Sequence, residues 1–501
     1  MSSDNDYQKV KEGLATILYP GDESKEVFYN HIQQFNRDLS VVAIRTWAAK
    51  QTEKRSKKRK IDTDGSASEQ PYIKIFEGLA ASGLRSIRYA KEIPSVKSVV
   101  ANDFSPSAVE SINRNIQYND VSNIVTSSVG DANVQMMLQR SAHQTKGRSP
   151  IAGQQSFHCI DIDPYGTAAP FIDQAVHTVS NDGLLLITCT DLAVLAGASY
   201  PEKCYANYGG LTNCGSEFSH ESALRLVLGL IGTAAARHGR SIEPLLSLSI
   251  DYYLRVFVRV RTSPIEVKFL PSKMMTTYVC SGCSAVSTQP LTRATPTDGK
   301  ITSYKHSSAQ GPPVNRRCEH CGFVHHIGGP MWGSSLHDRE FVQAMLDLID
   351  TLDPEVYGTT KRMKAMLTLA LEEIDYPFYF TPSHLAKVVH CVAPNIAVMM
   401  SALINGGYKV SGSHCVPGSI KTDAPFSFIW DVYREWIKEH PVSAAKLKDF
   451  TAAKAILEKS MTHDVDLTLA DAVKELKSRP KVARYPQNPA NWGPKSRANA
   501  Q

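Results

Sequence analysis

The chain has no apolar run long enough to span a bilayer, and its opening MSSDNDYQKV is too polar for a secretory signal, so a soluble, intracellular protein is expected. Cysteine is sparse, ten in 501 residues, and four of the ten fall in CxxC pairs, which argues against a disulfide framework. Neither sign of charge dominates. The net charge of +6 permits nucleic-acid binding without requiring it. What is present is ordinary globular material, 42% hydrophobic and 21% charged, in a chain too long for one core. More than one domain is expected.

Residues 157–166, FHCIDIDPYG, are the most informative stretch. Phe157, Cys159, Ile160 and Ile162 make the near-continuous apolar run of a parallel strand covered on both faces. Pro164 stops the ladder because it has no N–H, and Gly166 lets the backbone turn closely. The Asp163 carboxylate and nearby backbone carbonyls can accept the hydrogens of an amine, freeing nitrogen electrons otherwise delocalised into a ring, on which Tyr165 can stack. Taken alone, DPYG is equally a strand-ending turn with surface carboxylates.

The upstream strands shift that balance. Residues 72–76 read as a strand, EGLAASG as a small-residue turn, and residues 84–91 as the start of a helix. Gly78 and Gly83 allow the backbone to approach a ligand, and the helix N-terminus offers free N–H groups. The middle glycine of a dinucleotide fingerprint is absent, so this loop alone is a weak signal. The next strand, residues 96–102, leads to Asp103, 20 residues beyond Gly83, where a carboxylate can accept from both ribose hydroxyls of an adenosyl group. A helix over 106–118 and a strand through Val125 precede Gly130-Asp131-Ala132, where Asp131 can meet an adenine amino group. Asp103, Asp131 and Asp163 thus each end a strand, at the edge where open α/β sheets bind ligands. A helix over 167–179, a buried strand over 183–189 and a helix over 221–237 follow. The last two strands, 245–250 and 253–260, are too close for a helical crossover and must pair antiparallel. The fold class expected is α/β: a Rossmann-like methyltransferase sheet with a terminal antiparallel hairpin.

Outside the sheet, Leu39, Val42, Ala43 and Trp47 give one buried helical face from Asn36 onward, with Arg37 and Asp38 open to reading as a cap and a surface ion pair. Residues 51–70, with Lys54, Arg55, Lys57, Lys58, Arg59 and Lys60, read as a mobile basic loop: a solvated charge run, a nuclear-import signal or a tRNA-facing arm. Residues 191–210 carry Tyr200, Lys203, Tyr205 and Tyr208 in a long connection that suits a substrate-facing lid or a packed surface loop. Cys280-Ser-Gly-Cys283 and Cys318-Glu-His-Cys321, 34 residues apart, predict a closed tetrahedral thiolate site for structural Zn2+, with His320 and His325 as bystanders. From about Ser335 helices dominate, and a helix-turn-helix followed by a Gly-rich reversal at 405–414 resembles a winged helix, which serves nucleic acid or acts as a protein scaffold. The tail, with Arg484, Tyr485, Trp492, Lys495 and Arg497, fits along RNA or over the domain surface.

Together NRDLS at Asn36, GLAASGLRSIR at Gly78, ND at Asp103, GDA at Gly130, DIDPYGT at Asp161, the two CxxC pairs, SHCVPGSIKTDAP at Ser413 and NPANWGPK at Asn488 resemble the eukaryotic and archaeal tRNA guanine-26 N2-dimethyltransferases. The resemblance implies transfer of one, then a second methyl group from S-adenosylmethionine to the guanine N2. It implies cofactor contacts from Arg37, Gly78, Arg85, Asp103, Asp131 and Ala132, a catalytic Asp163, and base contacts from Phe28 and Tyr165. Tyr165 stands where related sequences often carry phenylalanine. The expected organisation is an N-terminal segment over 1–50 packing on the catalytic domain, a basic flexible insert over 51–70, the methyltransferase domain over 71–270, a zinc-binding region over 271–335 and a C-terminal tRNA-binding domain over 336–501. A monomer acting on tRNA is expected, without a membrane, in the nucleus and also in the mitochondrion. The competing functions are an amino-methyltransferase with another nucleic-acid or protein target, and an inactive zinc-containing RNA-binding protein.

Overall fold

The computed structural model describes residues 7–20, 29–62, 70–138, 157–213, 215–297, 300–478 and 484. Strands β1 (Tyr7–Glu12) and β2 (Ala15–Pro20) form an N-terminal hairpin, followed by the long helix α1 (Gln34–Asp62). Alternation then begins: β3 (Ile73–Glu77), α2 (Leu84–Glu92), β4 (Val96–Asp103), α3 (Pro106–Tyr118), β5 (Val125–Val129), α4 (Ala132–Leu138), β6 (Cys159–Ile162), α5 (Ala169–Thr178) and β7 (Gly183–Cys189). Short helices α6 (Leu192–Leu195) and α7 (Pro201–Tyr208) lead into α8 (Ser219–Arg237) and the hairpin β8 (Arg240–Ile250) and β9 (Tyr253–Thr262). The sheet order is β5-β4-β3-β6-β7-β9-β8. Strands β3 to β7 run parallel, and β9 enters antiparallel to β7, as the short β8–β9 connection requires.

Two cores arise because strand side chains alternate between faces. Ile75, Val99, Cys159, Leu184, Leu186 and Phe257 meet α1, α2 and α3 on one face, while Phe76, Ile160, Ile162, Leu185, Ile187 and Val256 meet α5 and α8 on the other. The strands therefore read as continuous apolar runs. The chain runs outward from β3 through β4 to β5 and then returns to place β6 on the other side of β3, so the order reverses between β3 and β6, which opens a crevice at their carboxyl ends.

The N-terminal hairpin is fastened to this sheet by polar contacts. Asn115 Oδ1 on α3 accepts from Leu18 N (2.8 Å) and Asn119 Oδ1, at the C-cap of α3, from Thr16 N (2.9 Å), completing the free edge of β2. Arg88 on α2 is fully buried and reaches Glu12 (2.7 Å), Asp38 (2.7 Å) and Glu92 (2.9 Å), tying hairpin, α1 and α2 together.

One local expectation changes. The predicted break at residue 51 is absent: α1 continues to Asp62. Lys, Arg, Gln and Glu are good helix formers, and Arg55 stacks over the Tyr72 ring at 3.8 Å. Residues 63–69 lie outside the described residues. The long connection at 191–210, read as a lid or a packed surface loop, contains two helices, with Cys204 and Tyr208 buried and Tyr200 and Tyr205 exposed.

Beyond β9, strands Met274–Cys280, Val286–Pro290 and His325–Trp332 form a three-stranded antiparallel sheet that carries the cysteines. Helices Arg339–Ile349 and Thr360–Glu372 pack on α1 and its core. Pro382–Val389 and Ile396–Asn405, then the two-residue strands Val410–Ser411 and Lys421–Thr422, give the helix-turn-helix and reversal expected of a winged helix. Arg484 lies against this end of the molecule, where its carbonyl accepts from Arg362 (3.1 Å). Tyr485, Trp492, Lys495 and Arg497 lie outside the described residues. No helix among the described residues is long and apolar enough to cross a membrane.

Candidate active site

The carboxyl edge of β3, β4, β5 and β6 gathers the three strand-ending carboxylates. Asp103 accepts from Ala81 N (2.9 Å) and Ser105 N (3.0 Å), so both its oxygens are oriented by backbone. Asp131 caps α4 by accepting from Asn133 N (2.8 Å) and Val134 N (3.1 Å), both on Oδ1, and Ala132 opens that helix. Asn102 Nδ2 donates to the carbonyls of Gly78 (2.9 Å) and Gly130 (3.1 Å), holding the loops after β3 and β5 at one spacing. Gly83 has φ +75 and sits at the α2 N-cap, a left-handed position that glycine adopts without strain. A Cβ on Gly78 would come within 2.8 Å of Ile162 Cδ1, so that loop lies close on the β6 end.

Asp163 follows β6. Its Oδ2 accepts from Asn36 Nδ2 (3.2 Å) at the start of α1 and is ion-paired with Arg85 of α2. The DPYG turn is pinned to the end of β7, where Gly166 N donates to Thr190 Oγ1 (2.7 Å) and Thr190 N to Gly166 O (2.9 Å). The Tyr208 hydroxyl donates to Asp191 (2.8 Å) and lies 2.7 Å from the Thr167 hydroxyl, fastening α7 to the same turn. Tyr165 is 93% exposed, with its ring free for a planar partner. Phe28 lies outside the described residues. Arg37 is held by Glu12 (2.6 Å) and the Asn30 carbonyl (2.9 Å), with its guanidinium over Tyr29.

Beneath Asp163 lies a buried charge network that motif spacing did not identify. Asp161, fully buried, accepts from Arg255 Nη1 (2.9 Å), Arg255 Nη2 (3.0 Å) and the Tyr89 hydroxyl (2.5 Å), with Arg85 at 3.4 Å. Ser40 Oγ accepts from Arg85 (3.1 Å) and Arg255 (2.8 Å). Burial opposes ionisation of Asp161, but Arg255 and Arg85 hold its carboxyl below the ordinary range. The one sequence signal was the acidic residue two positions before Asp163 in an otherwise apolar strand.

Glu77, at the end of β3, completes the set. Three carboxylates, Glu77, Asp161 and Asp163, share two guanidinium groups, Arg85 and Arg255, and burial pushes the Glu77 carboxyl up to about 8 against the pull of Arg85 and Ser86. Its ordinary value is 4.5, so the folded state binds the proton more tightly than the unfolded one. That contribution to stability is full below about pH 4.5 and lost as pH rises through about 8. Denaturation midpoints measured across this window are expected to fall less steeply in Glu77→Gln than in the parent.

The four cysteines are buried and their sulfurs lie within 4.8 Å of one another, with Cys280–Cys321 at 3.3 Å and Cys283–Cys318 at 3.7 Å. Zinc–sulfur bonds of about 2.3 Å in a tetrahedron put sulfurs about 3.8 Å apart, so the group fits structural zinc. Neither His320 nor His325 joins it. The cysteines pack into the same core as Phe380, Leu385 and Ile429, so the metal would tie the small sheet to the C-terminal helices. Cys283→Ser is expected to lower zinc from about one per chain towards zero, read by elemental analysis, and to loosen this junction to proteolysis.

His337, Glu373 and His414 also show metal-like spacing, but their chemistry points elsewhere. His337 Nδ1 accepts from Ser247 N (3.4 Å) and His414 Nε2 from Ser249 N (3.1 Å), both on the edge strand β8. Those bonds occupy one ring lone pair of each and leave the protonated nitrogens facing Glu373, which also binds Lys421 (3.1 Å). The cluster caps the sheet edge and anchors the C-terminal helices.

Residues 9–434 match the family described as N2,N2-dimethylguanosine tRNA methyltransferase. The tRNA (guanine(26)-N(2))-dimethyltransferase of Schizosaccharomyces pombe is 46% identical over 97% of this chain and 92% of its own. The mitochondrial enzyme of that name from Saccharomyces cerevisiae is 43% identical over 99% and 93%, and the Homo sapiens enzyme 39% over 98% and 77%. The fold is that of Trm1 from Pyrococcus horikoshii, solved with S-adenosyl-L-methionine: TM-score 0.66, 24% identity, covering 84% of this chain and 98% of that one. The chain belongs to the N2,N2-dimethylguanosine tRNA methyltransferase family.

Proposed function

We propose that this chain is a tRNA (guanine(26)-N(2))-dimethyltransferase that transfers two methyl groups in succession from S-adenosylmethionine to the exocyclic N2 of guanine 26, the activity named for its relatives. The observation that carries the reading is the placement of Asp163 at the carboxyl edge of the sheet, one oxygen held by Arg85 and Asn36, beside the strand-ending Asp103 and Asp131. The residues suit the cofactor. Asp103 would accept from the ribose hydroxyls and Asp131 from the adenine amine, whose ring would lie against Ala132, and Gly78, Arg85 and Arg37 would complete its contacts. When bound, S-adenosylmethionine supplies an electrophilic methyl group.

The guanine amine is a poor nucleophile because its lone pair is delocalised into the ring. Both protein bonds to Asp163 fall on Oδ2, so Oδ1 is the oxygen that accepts the amine hydrogen. Drawing that hydrogen out of the ring plane localises the lone pair, and the carboxylate stabilises the positive charge that grows on nitrogen. The exposed Tyr165, with Phe28, would stack on a guanine extruded from the tRNA core, at a cost of about a few kcal/mol in lost stacking. The zinc region and the winged-helix-like C-terminal part would form the tRNA-binding body of a monomer. The basic run over 54–60 supports a nuclear location, and a mitochondrial share rests on the one relative named as mitochondrial.

Mass spectrometry of nucleosides from unmodified tRNA incubated with the protein and S-adenosylmethionine tests the reading. N2-methylguanosine followed by N2,N2-dimethylguanosine is the expected result. Methyl on another base would move the target while leaving the catalytic assignment in place.

A further inference from the structure

Beside the turn that carries Asp163 lies a second exposed aromatic surface, on α7, that the methyl transfer itself does not use. Helix α7 follows β7 and packs on α5, α6 and α8. Its inner face is Cys204 and Tyr208, both buried and one turn apart. Tyr208 fixes the helix against the active-site turn: its hydroxyl donates to Asp191 (2.8 Å) and lies 2.7 Å from the hydroxyl of Thr167, two residues beyond Tyr165. The helix cannot leave the proposed base site without breaking these bonds.

Outward, α7 presents Tyr205, 58% exposed, with Tyr200 at its N-cap 41% exposed. Tyr205 precedes Tyr208 by three residues, about 4.5 Å along the helix axis, which keeps it beside the turn. Large rings left in water next to a reacting centre mark a contact surface. This one carries no net charge, because the exposed Glu202 and Lys203 offset each other and the Lys203 ammonium lies 4.6 Å from the Tyr200 ring. Such a surface suits the flat face of an uncharged ring better than a phosphate.

The reaction supplies that ring. Extruding a guanine from the tRNA core breaks its stacking on the nucleotides before and after it, and each neighbour is left with a bare base face. We propose that Tyr205 stacks on the base of one nucleotide adjacent to the target guanine, so that α7 holds the opened strand while Tyr165 holds the extruded base, an assignment that rests on the function proposed above.

The test measures dissociation constants of the parent, Tyr205→Ala and Tyr205→Phe for three tRNAs: the unmodified molecule, and two with an abasic nucleotide on the 5′ or the 3′ side of the target. On the unmodified tRNA, Tyr205→Ala is expected to bind about tenfold more weakly and Tyr205→Phe within about twofold of the parent, since the ring stacks and the hydroxyl does not. The Tyr205→Ala loss should be equal at about 50 and 200 mM salt, whereas loss of a phosphate contact would shrink as salt rises. On one of the abasic tRNAs it should vanish, because the base that Tyr205 touches is gone. Each variant is read against all three tRNAs in one preparation, so any misfolded fraction cancels in the comparison. Parent-like binding by Tyr205→Ala, an equal loss in Tyr205→Phe, a salt-dependent loss, or a loss that persists on both abasic tRNAs each overturns the stacking role. A parent that places no methyl on guanine N2 fails the function proposed above instead, and nucleoside mass spectrometry of the parent reaction tells the two failures apart.

Discussion

Asp163→Ala is expected to abolish detectable methyl transfer, with a loss of about a hundred- to ten-thousand-fold in single-turnover rate, while binding of tRNA and S-adenosylmethionine persists. Asp163 is partly exposed at the rim of the site, and the turn that carries it is pinned by Thr190 through backbone bonds that the substitution leaves alone. Arg85 keeps Asp161, Ser40 and Glu77 as partners when Asp163 is removed. The fold should therefore survive and the chemistry should not. Calorimetric cofactor binding and a filter assay for tRNA would report the first, and nucleoside mass spectrometry the second. Turnover within about threefold of the parent would move the catalytic role to another group.

Asp161→Ala is expected to have the largest effect on stability, about 3–5 kcal/mol, because it strands charges that have no route to water. Arg255 is fully buried and gives two of its donors to Asp161, and the buried Tyr89 hydroxyl gives its only one. Thr188 (2.8 Å) and Ser40 remain near Arg255, but both are neutral and cannot balance it. Urea unfolding followed by circular dichroism should show a lower midpoint, and Asp161→Asn, which retains one acceptor oxygen, should fall between the variant and the parent. A midpoint unchanged in Asp161→Ala would mean that the network contributes nothing to folding. The comparison also separates the two acidic residues of the DIDPYG stretch: Asp163 is the residue proposed to serve the reaction, and the buried Asp161 holds Arg255 and Arg85, of which Arg85 also pairs with Asp163.

Much of this was written in local pattern. The continuous apolar runs of β6 and β7 announce strands covered on both faces, and the short spacing between β8 and β9 leaves no topology but an antiparallel hairpin. That Asp103, Asp131 and Asp163 stand together at one sheet edge was legible because each ends or follows a strand, and parallel strands end on one edge. The four cysteines were legible because two CxxC knuckles carry a full ligand set. Local pattern also misled where propensity and polarity disagree. The basic run after Lys50 looks like a solvated loop by charge, yet Lys and Arg are good helix formers and α1 simply continues through it.

What the residues determined by themselves, then, is which strands make up the large mostly parallel sheet and which side chains that could do chemistry stand at their carboxyl ends. Tertiary structure alone decided how those side chains are partnered. Asn36 meets Asp163 across 127 positions and Arg255 meets Asp161 across 94, and both meetings depend on α1 and β9 closing over the same strand end. The N-terminal hairpin, docked through Asn115, Asn119 and Arg88, carries no periodic signal in six-residue strands of mixed polarity. Periodicity reports what a segment does with its own faces. A hydrogen bond or ion pair between distant segments exists only once the chain between them has closed, and a directional bond of about 3 Å has no trace in the spacing of residues along the chain.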